Sequence, residues 1–248
     1  MSHYISALVW NYGDGVSNYM GMEWYDMVAK KNGGYKSNAL FTVEGISGED
    51  VFEEQLIQLL RNSKAAMDAG CGHGDFTIKM AKNANQIVGF DWSIELLKIA
   101  ESLKKHNKAD NVNFVRATTK SELPFEDGQF DLVYCRRGPT SITRHSRILC
   151  SGGIIYGICP EYPDIMSILS ERLSDNGFID IQFDIFDAAL CVFPNASEFA
   201  KFLTAFPGNP DYTLPENQQL LAGKVNENTT NGRICYRQWR IIWKAIKS

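Results

Sequence analysis

Asp68-Ala69-Gly70-Cys71-Gly72-His73-Gly74 is the stretch whose residue types and spacing point most directly to chemistry. Glycines let a backbone turn sharply and approach a ligand closely. The spacing is G-x-G-x-G, and Asp75 stands where the dinucleotide fingerprint G-x-G-x-x-G needs a glycine. A carboxylate there fits poorly with a pyrophosphate at a helix N-terminus. It suits a ligand that carries ammonium and sulfonium cations. Asp91, 17 residues beyond Gly74, closes the next apolar run. In that position it can accept hydrogen bonds from both hydroxyls of an adenosine ribose.

These residues need elements to hold them. Ala65 to Ala69 reads as a short buried strand that ends in the glycine loop, and Phe76 to Ala81 as the helix after it. Gln86 to Phe90 is a second strand. Ser93 is a good N-cap with Glu95 in the first turn, and Leu96, Leu97, Ala100 and Leu103 form one apolar helical face. Ser47 to Asp50 resembles a capping box, opening a helix over about Glu49 to Arg61. Further strands are expected at Val112 to Val115, Phe130 to Cys135 and Gly153 to Cys159. A helix over Pro163 to Leu173 stops at Asn176-Gly177. Ile179 to Ile185 alternates with period two, and Arg233 to Ile246 closes the chain as a strand. Alternating strands and helices imply a mostly parallel sheet covered on both faces. Ligands in such sheets sit at the carboxyl ends of the strands.

The resemblance to a known family becomes specific with four segments taken together. Asp68 to Gly74 resembles the D/E-x-G-x-G-x-G motif of class I S-adenosylmethionine-dependent methyltransferases, and Gly89-Phe90-Asp91-Trp92-Ser93 resembles their G-x-D-x-S segment. Leu123-Pro124-Phe125 with Gly128 to Val133, and Arg147 to Gly153, are similar to their later motifs. The order and spacing match over roughly residues 64–160, in the ubiquinone/menaquinone-methyltransferase-like branch (the type 11 methyltransferase domain). Cys135 to Pro139 is also similar to an S-R-R-G-P stretch of a bacterial subgroup.

The resemblance implies an α/β fold: a doubly wound, Rossmann-like, seven-stranded, mostly parallel sheet with an antiparallel C-terminal strand. It implies S-adenosylmethionine as cofactor. Asp68, Gly70, Cys71, Gly72 and Gly74 would form its loop, Asp91 would hold the ribose, Trp92 would stack near the adenine and Ser93 would follow. Thr118 and Thr119 would face the adenine edge, where the family often has an acidic residue. Arg136 would line the methionine end. The interval from Arg137 to Arg147 is short where the family carries a longer helix. Residues 1–48, read as an N-terminal cap, and an insertion at about 190–230 are therefore expected to wall the substrate pocket of the domain spanning 49–248. Tyr12, Tyr19, Trp24 and Tyr25 make the cap aromatic, either as a lid or as its own small core.

Methyl transfer from a sulfonium is an in-line displacement, so positioning and water exclusion carry most of the catalysis. An amine or hydroxyl acceptor would still need a base; a carboxylate would not. His145 and Arg137 are the catalytic candidates. His73, inside the loop, reads as an exposed loop residue, and His3 and His106 as incidental. Arg136, Arg137, Arg144 and Arg147 cluster in sequence. Adjacent residues of a strand point to opposite sides, so one of Arg136 and Arg137 is expected to face the site. Such a guanidinium could fix a substrate carboxylate or phosphate, or simply pair with a nearby acid.

Net charge is −4, so a general nucleic-acid footprint is missing and a small-molecule acceptor is expected. An RNA or protein methyltransferase using the basic segments Arg136–Arg147 and Arg233–Lys247 is one alternative, and a non-catalytic S-adenosylmethionine-binding module is another. No N-P-P-Y or D-P-P-Y tetrad follows the fourth strand, and Cys159-Pro160 reverses the Pro-Cys order of cytosine C5 enzymes. The six cysteines show no C-x-x-C spacing and read as small buried hydrophobes, with no metal site expected. No apolar run reaches membrane-spanning length and the start lacks a signal-peptide pattern, so the expectation is a cytoplasmic chain without a membrane span.

Overall fold

Phe52, Leu56 and Leu60 recur every four residues, and all three are buried on one face of helix α1 (Gly48–Arg61). Each such side chain contributes roughly 1.5–3 kcal/mol by leaving water. The helix starts where Ser47 caps it: the hydroxyl accepts from the Glu49 amide at 3.2 Å and donates to Gln238 Oε1 at 2.9 Å. The computed structural model describes residues 30, 32–34, 37–206 and 208–248. Tyr12, Tyr19, Trp24 and Tyr25 of the expected cap lie outside the described residues.

The other helices are α2 (Asp75–Ala81), α3 (Ile94–Asn107), α4 (Ile165–Asp175), α5 (Ala196–Thr204) and α6 (Gln218–Glu227). The strands are β1 (Thr42–Glu44), β2 (Ala66–Ala69), β3 (Ile87–Asp91), β4 (Val112–Arg116), β5 (Phe130–Arg136), β6 (Leu149–Pro160), β7 (Phe178–Phe193), β8 (Thr229–Thr230) and β9 (Arg233–Lys247). They form one sheet in the order β1-β7-β9-β6-β5-β2-β3-β4, with β8 paired to β9.

Strands β4, β3, β2, β5 and β6 are mutually parallel, and β9 is antiparallel between β6 and β7. The strand order reverses beside β2, so the loops after β2 and β5 diverge there and leave a crevice. The doubly wound fold is as expected, but the sheet has nine strands rather than seven. The additions, β1 and β8, are three and two residues long. They arise because β7 and β9 run on past β6 and offer extra edge to pair with.

Two apolar layers flank the sheet. One holds Phe52, Leu56 and Leu60 with Phe76, Met80, Leu132 and Ile158; the other holds Leu169 and Leu173 with Met67, Val133, Ile155 and Trp243. A third, separate core lies under the β7–β9 extension, where Cys191 and Phe193 pack with Phe199, Leu203, Tyr212 and Leu221. Residues 40–44 dock onto this extension. The Leu40 amide donates to Glu198 at 2.7 Å, and Phe41 packs against Phe193 and Phe202. Among the described residues no helix is long and apolar enough to cross a membrane, and no group of three or more metal-ligating side chains converges. All six cysteines are free thiols, four of them buried.

Candidate cofactor and acceptor site

The glycine loop is built by main-chain demands. Gly70, Gly72 and Gly74 have φ of 76°, 57° and 78°, a left-handed region that only glycine adopts at little cost. The Gly70 and Cys71 amides both donate to the Phe90 carbonyl, at 3.0 and 2.9 Å. The loop therefore rises between β2 and β3 and delivers Gly74 as the cap of α2. A side chain at Gly70 would strike Pro139 Cδ at 2.5 Å, whereas one at Gly72 would meet nothing within 4 Å. The space over Gly72 is thus open, with bare main chain beneath it.

Asp91, at the end of β3, fixes that surface. Its Oδ2 accepts the Gly72 amide at 3.0 Å and its Oδ1 accepts the Ser93 amide at 2.9 Å. Ser93 in turn caps α3, accepting from the Leu96 amide at 3.1 Å. A carboxylate presents about four acceptor positions, which suits a ribose diol alongside two amides. Trp92 is half-buried, with the Lys120 ammonium 5.4 Å from its ring centre. Arg116 Nε donates to the Trp92 carbonyl at 3.3 Å.

Asp68 sits deeper, 2% exposed, and accepts the Thr77 hydroxyl at 2.7 Å. Burial pushes its carboxyl up to about 7, against the lowering pull of Thr77, Tyr134 and the Arg136 charge. Tyr134 is its register partner on β5. The Tyr134 hydroxyl is buried and faces Asp68, which pushes its pKa further up together with burial. A nearby cation would favour the ionised form of such a buried carboxyl. Burial also pushes the Cys71 thiol well up, so it is a protonated spacer and no nucleophile.

Thr118 and Thr119 stand in the loop after β4. Thr119 Oγ1 and Ser141 Oγ are 2.7 Å apart, and His145 Nε2 lies 3.1 Å from the Thr119 carbonyl. His145 is therefore held against the loop after β4. His73, expected to be exposed, is instead buried: its ring lies under Gly34, where an added Cβ would meet it at 2.7 Å. Its Nε2 is 3.3 Å from Asp75 Oδ1. The Gly34 segment crosses the loop, a contact that no local pattern encodes. In place of the family's longer helix, Arg137 to Arg147 holds two short 3-10 turns, Thr140–Arg144 and Ser146–Ile148.

The sequence cluster of four arginines divides. Arg147 points to the far side, where it braces the 122–127 loop through Glu122, Asp127 and the carbonyls of Leu123 and Phe125. Arg136 and Arg137 do not diverge as strand alternation predicts. Arg137 has φ of 57°, which ends the pleat and swings its side chain back. Both then reach Glu49, Arg136 Nε at 3.1 Å and Arg137 Nε at 3.5 Å. Arg240 of β9 joins them at 2.9 Å. Burial alone would raise the Glu49 carboxyl; the guanidiniums of Arg137, Arg240 and Arg136 instead hold it at about 2. Arg136 also lies over the Phe76 ring, 4.3 Å from its centre. Glu49, Arg240, Tyr134 and Thr77 were not singled out from sequence. The register of β2 on β5 would have exposed Tyr134, but Glu49 and Arg240 carry no local signal.

Residues 60–159 match the family model described as a methyltransferase domain. Over those residues the chain is similar to methyltransferase domains. A demethylmenaquinone methyltransferase of Staphylococcus aureus is 30% identical over 112 residues, 41% of this chain and 44% of the relative. The chain thus aligns with less than half the length of that curated relative. Among solved structures, a functionally unknown protein from Deinococcus radiodurans superposes with a TM-score of 0.64 at 23% identity, over 91% of this chain and all of that one. The YcgJ protein of Bacillus subtilis gives 0.58 at 16% identity, over 80% of this chain and 98% of that one. At these identities the structural matches establish the fold, a Rossmann-like methyltransferase architecture.

Proposed function

We propose that this chain transfers a methyl group from S-adenosylmethionine to a small-molecule acceptor. The observation that carries the reading is the pair of carboxylates, Asp68 and Asp91, on either side of an open, side-chain-free surface at Gly72. Residues 49–248 act as the methyltransferase unit, with 1–48 as a cap and the region 190–230 as an insertion walling the acceptor side, in a cytoplasmic chain. The small-molecule class is supported by the named relative, whose acceptor is a quinone precursor by its name.

The cofactor's contribution when bound is an electrophilic methyl group on a sulfonium whose leaving group is good. The chain's own residues do the rest. Asp91 orients the ribose, and the Gly70–Gly74 main chain lets the nucleoside approach closely. Asp68 places negative charge near the amino-acid end, and Arg136 offers a guanidinium to the carboxylate there. Trp92, Thr118 and Thr119 border the adenine. Pro139, pressed on Gly70, keeps water out of the methionine end.

Calorimetric titration with S-adenosylhomocysteine tests cofactor binding, and incubation with S-adenosylmethionine and a metabolite extract tests turnover. Saturable binding with S-adenosylhomocysteine production above background is expected. Failure to bind would end the reading; binding without turnover would favour a non-catalytic module.

A further inference from the structure

Three guanidiniums converge on one carboxylate at the carboxyl edge of the sheet, and the sum of charges does not close. Arg136 ends β5, and Arg240 lies opposite Pro160 across the β6–β9 ladder, so both stand at the same end of the sheet as the glycine loop. Glu49 is the one carboxylate ion-paired with all three among the described residues. Asp75, which Arg136 also feels, is engaged by His73, and Asp68 is pushed up to about 7. If Arg136 serves the carboxylate of the cofactor, Glu49 alone is left facing Arg137 and Arg240.

The Arg137 charge is accessible. The Arg240 and Glu49 side chains are 13% exposed, whereas the Arg137 side chain is 46% exposed. Glu49 works as a bracket here: with one carboxylate it fixes three guanidiniums, at 3.1, 3.5 and 2.9 Å. The left-handed backbone at Arg137 is what turns the most exposed of the three into this group rather than away from it.

We infer that Arg137, backed by Arg136 and Arg240, docks an oxyanion of the methyl acceptor, a carboxylate or a phosphate, adjacent to the cofactor. The inference rests on the methyltransferase reading above and adds the acceptor's chemical class to it. The docked group is a handle, not the atom that is methylated. Guanidiniums withdraw charge from an oxyanion and make it a poorer nucleophile, so the methyl goes to a second position on the same molecule.

The test titrates inorganic phosphate in one arm and acetate in another into the full chain saturated with S-adenosylhomocysteine, so that the cofactor's own carboxylate site is filled. Saturable binding is expected in at least one arm, and the tighter arm names the handle. Arg137→Gln should weaken it about tenfold or more, and Arg137→Lys should restore part of it. Both variants should keep a single cooperative thermal transition and the S-adenosylhomocysteine affinity of the parent. Binding in neither arm, or equal binding by Arg137→Gln and the parent, overturns the inference. A chain that takes S-adenosylhomocysteine but neither anion keeps the proposed function and loses this handle; one that refuses S-adenosylhomocysteine loses both.

Discussion

The Gly72 amide donates to Asp91 Oδ2 across 3.0 Å, which ties the glycine loop to the end of the neighbouring strand. One carboxylate thus shapes the loop and, in the proposed function, supplies the main polar contact to the ribose. Asp91→Ala removes both. A hydrogen bond to a charged group contributes roughly 1.5–3 kcal/mol, so S-adenosylhomocysteine should bind about 10- to 150-fold more weakly. Titration calorimetry reads this directly, and unchanged affinity would remove Asp91 from the site.

The glycines of the loop separate packing from ligand access. Gly70→Ala forces a Cβ to 2.5 Å from Pro139 at a φ of 76°, so it should destabilise the fold by about 2 kcal/mol or more. Gly72→Ala bears a similar backbone strain but meets no neighbour within 4 Å, so its stability cost should stay near 1 kcal/mol. Its cofactor affinity should nonetheless collapse, because the methyl fills the open surface. Denaturant unfolding alongside calorimetry on the two variants checks the contrast; equal cofactor binding by Gly72→Ala and the parent would place the ligand elsewhere.

Asp68 makes binding depend on pH. Its folded pKa is raised from 3.8 to about 7, so between those values the folded chain holds a proton that the unfolded chain has released. Stability from this group therefore falls as pH rises through that window. A cationic ligand favours the ionised form, so binding below about pH 7 must expel the proton. Affinity should rise with pH from about 5.5 to about 7, by at most tenfold per unit, and then level off. Asp68→Asn should flatten the profile, and calorimetry in buffers of different ionisation enthalpy should show proton release only for the parent.

Glu49 gives the opposite sign. Its carboxyl is lowered from 4.5 to about 2, so its stabilisation is fully present above about pH 4.5 and is lost as pH falls towards 2. The shift corresponds to about 3 kcal/mol for this buried group. Glu49→Gln should cost on the order of 3 kcal/mol at neutral pH, since it leaves the guanidiniums facing one another. It should also remove the Glu49 share of the stability change between pH 4.5 and 2, leaving that of Asp75. Chemical denaturation across that range measures both.

Where a residue's role is set by its immediate neighbours, sequence was enough. Gly70, Gly72 and Gly74 announce a left-handed loop, Asp91 announces the end of a strand, and Ser93 and Ser47 announce caps, because each requirement is satisfied within a few residues. Glu49 and Arg240 stand 191 residues apart and meet only when β9 inserts between β6 and β7. Arg137 was singled out, but its direction escaped because a single dihedral angle reversed the alternation on which that direction was reasoned. His73 escaped because Gly34 covers it from a distant part of the chain. β1 and β8 are too short for periodicity to declare them, and they exist because long neighbours recruit them.

The β7–β9 ribbon outruns the rest of the sheet and carries its own small core. Cohesion on that side comes from Phe193, Phe199 and Leu203 rather than from the layers beneath the nucleoside crevice. The chain is thus assembled like a tool with a fixed handle and an exchangeable head. Substitutions around Phe41, Phe202 and Phe206 therefore load this small core rather than the two layers that flank the parallel strands.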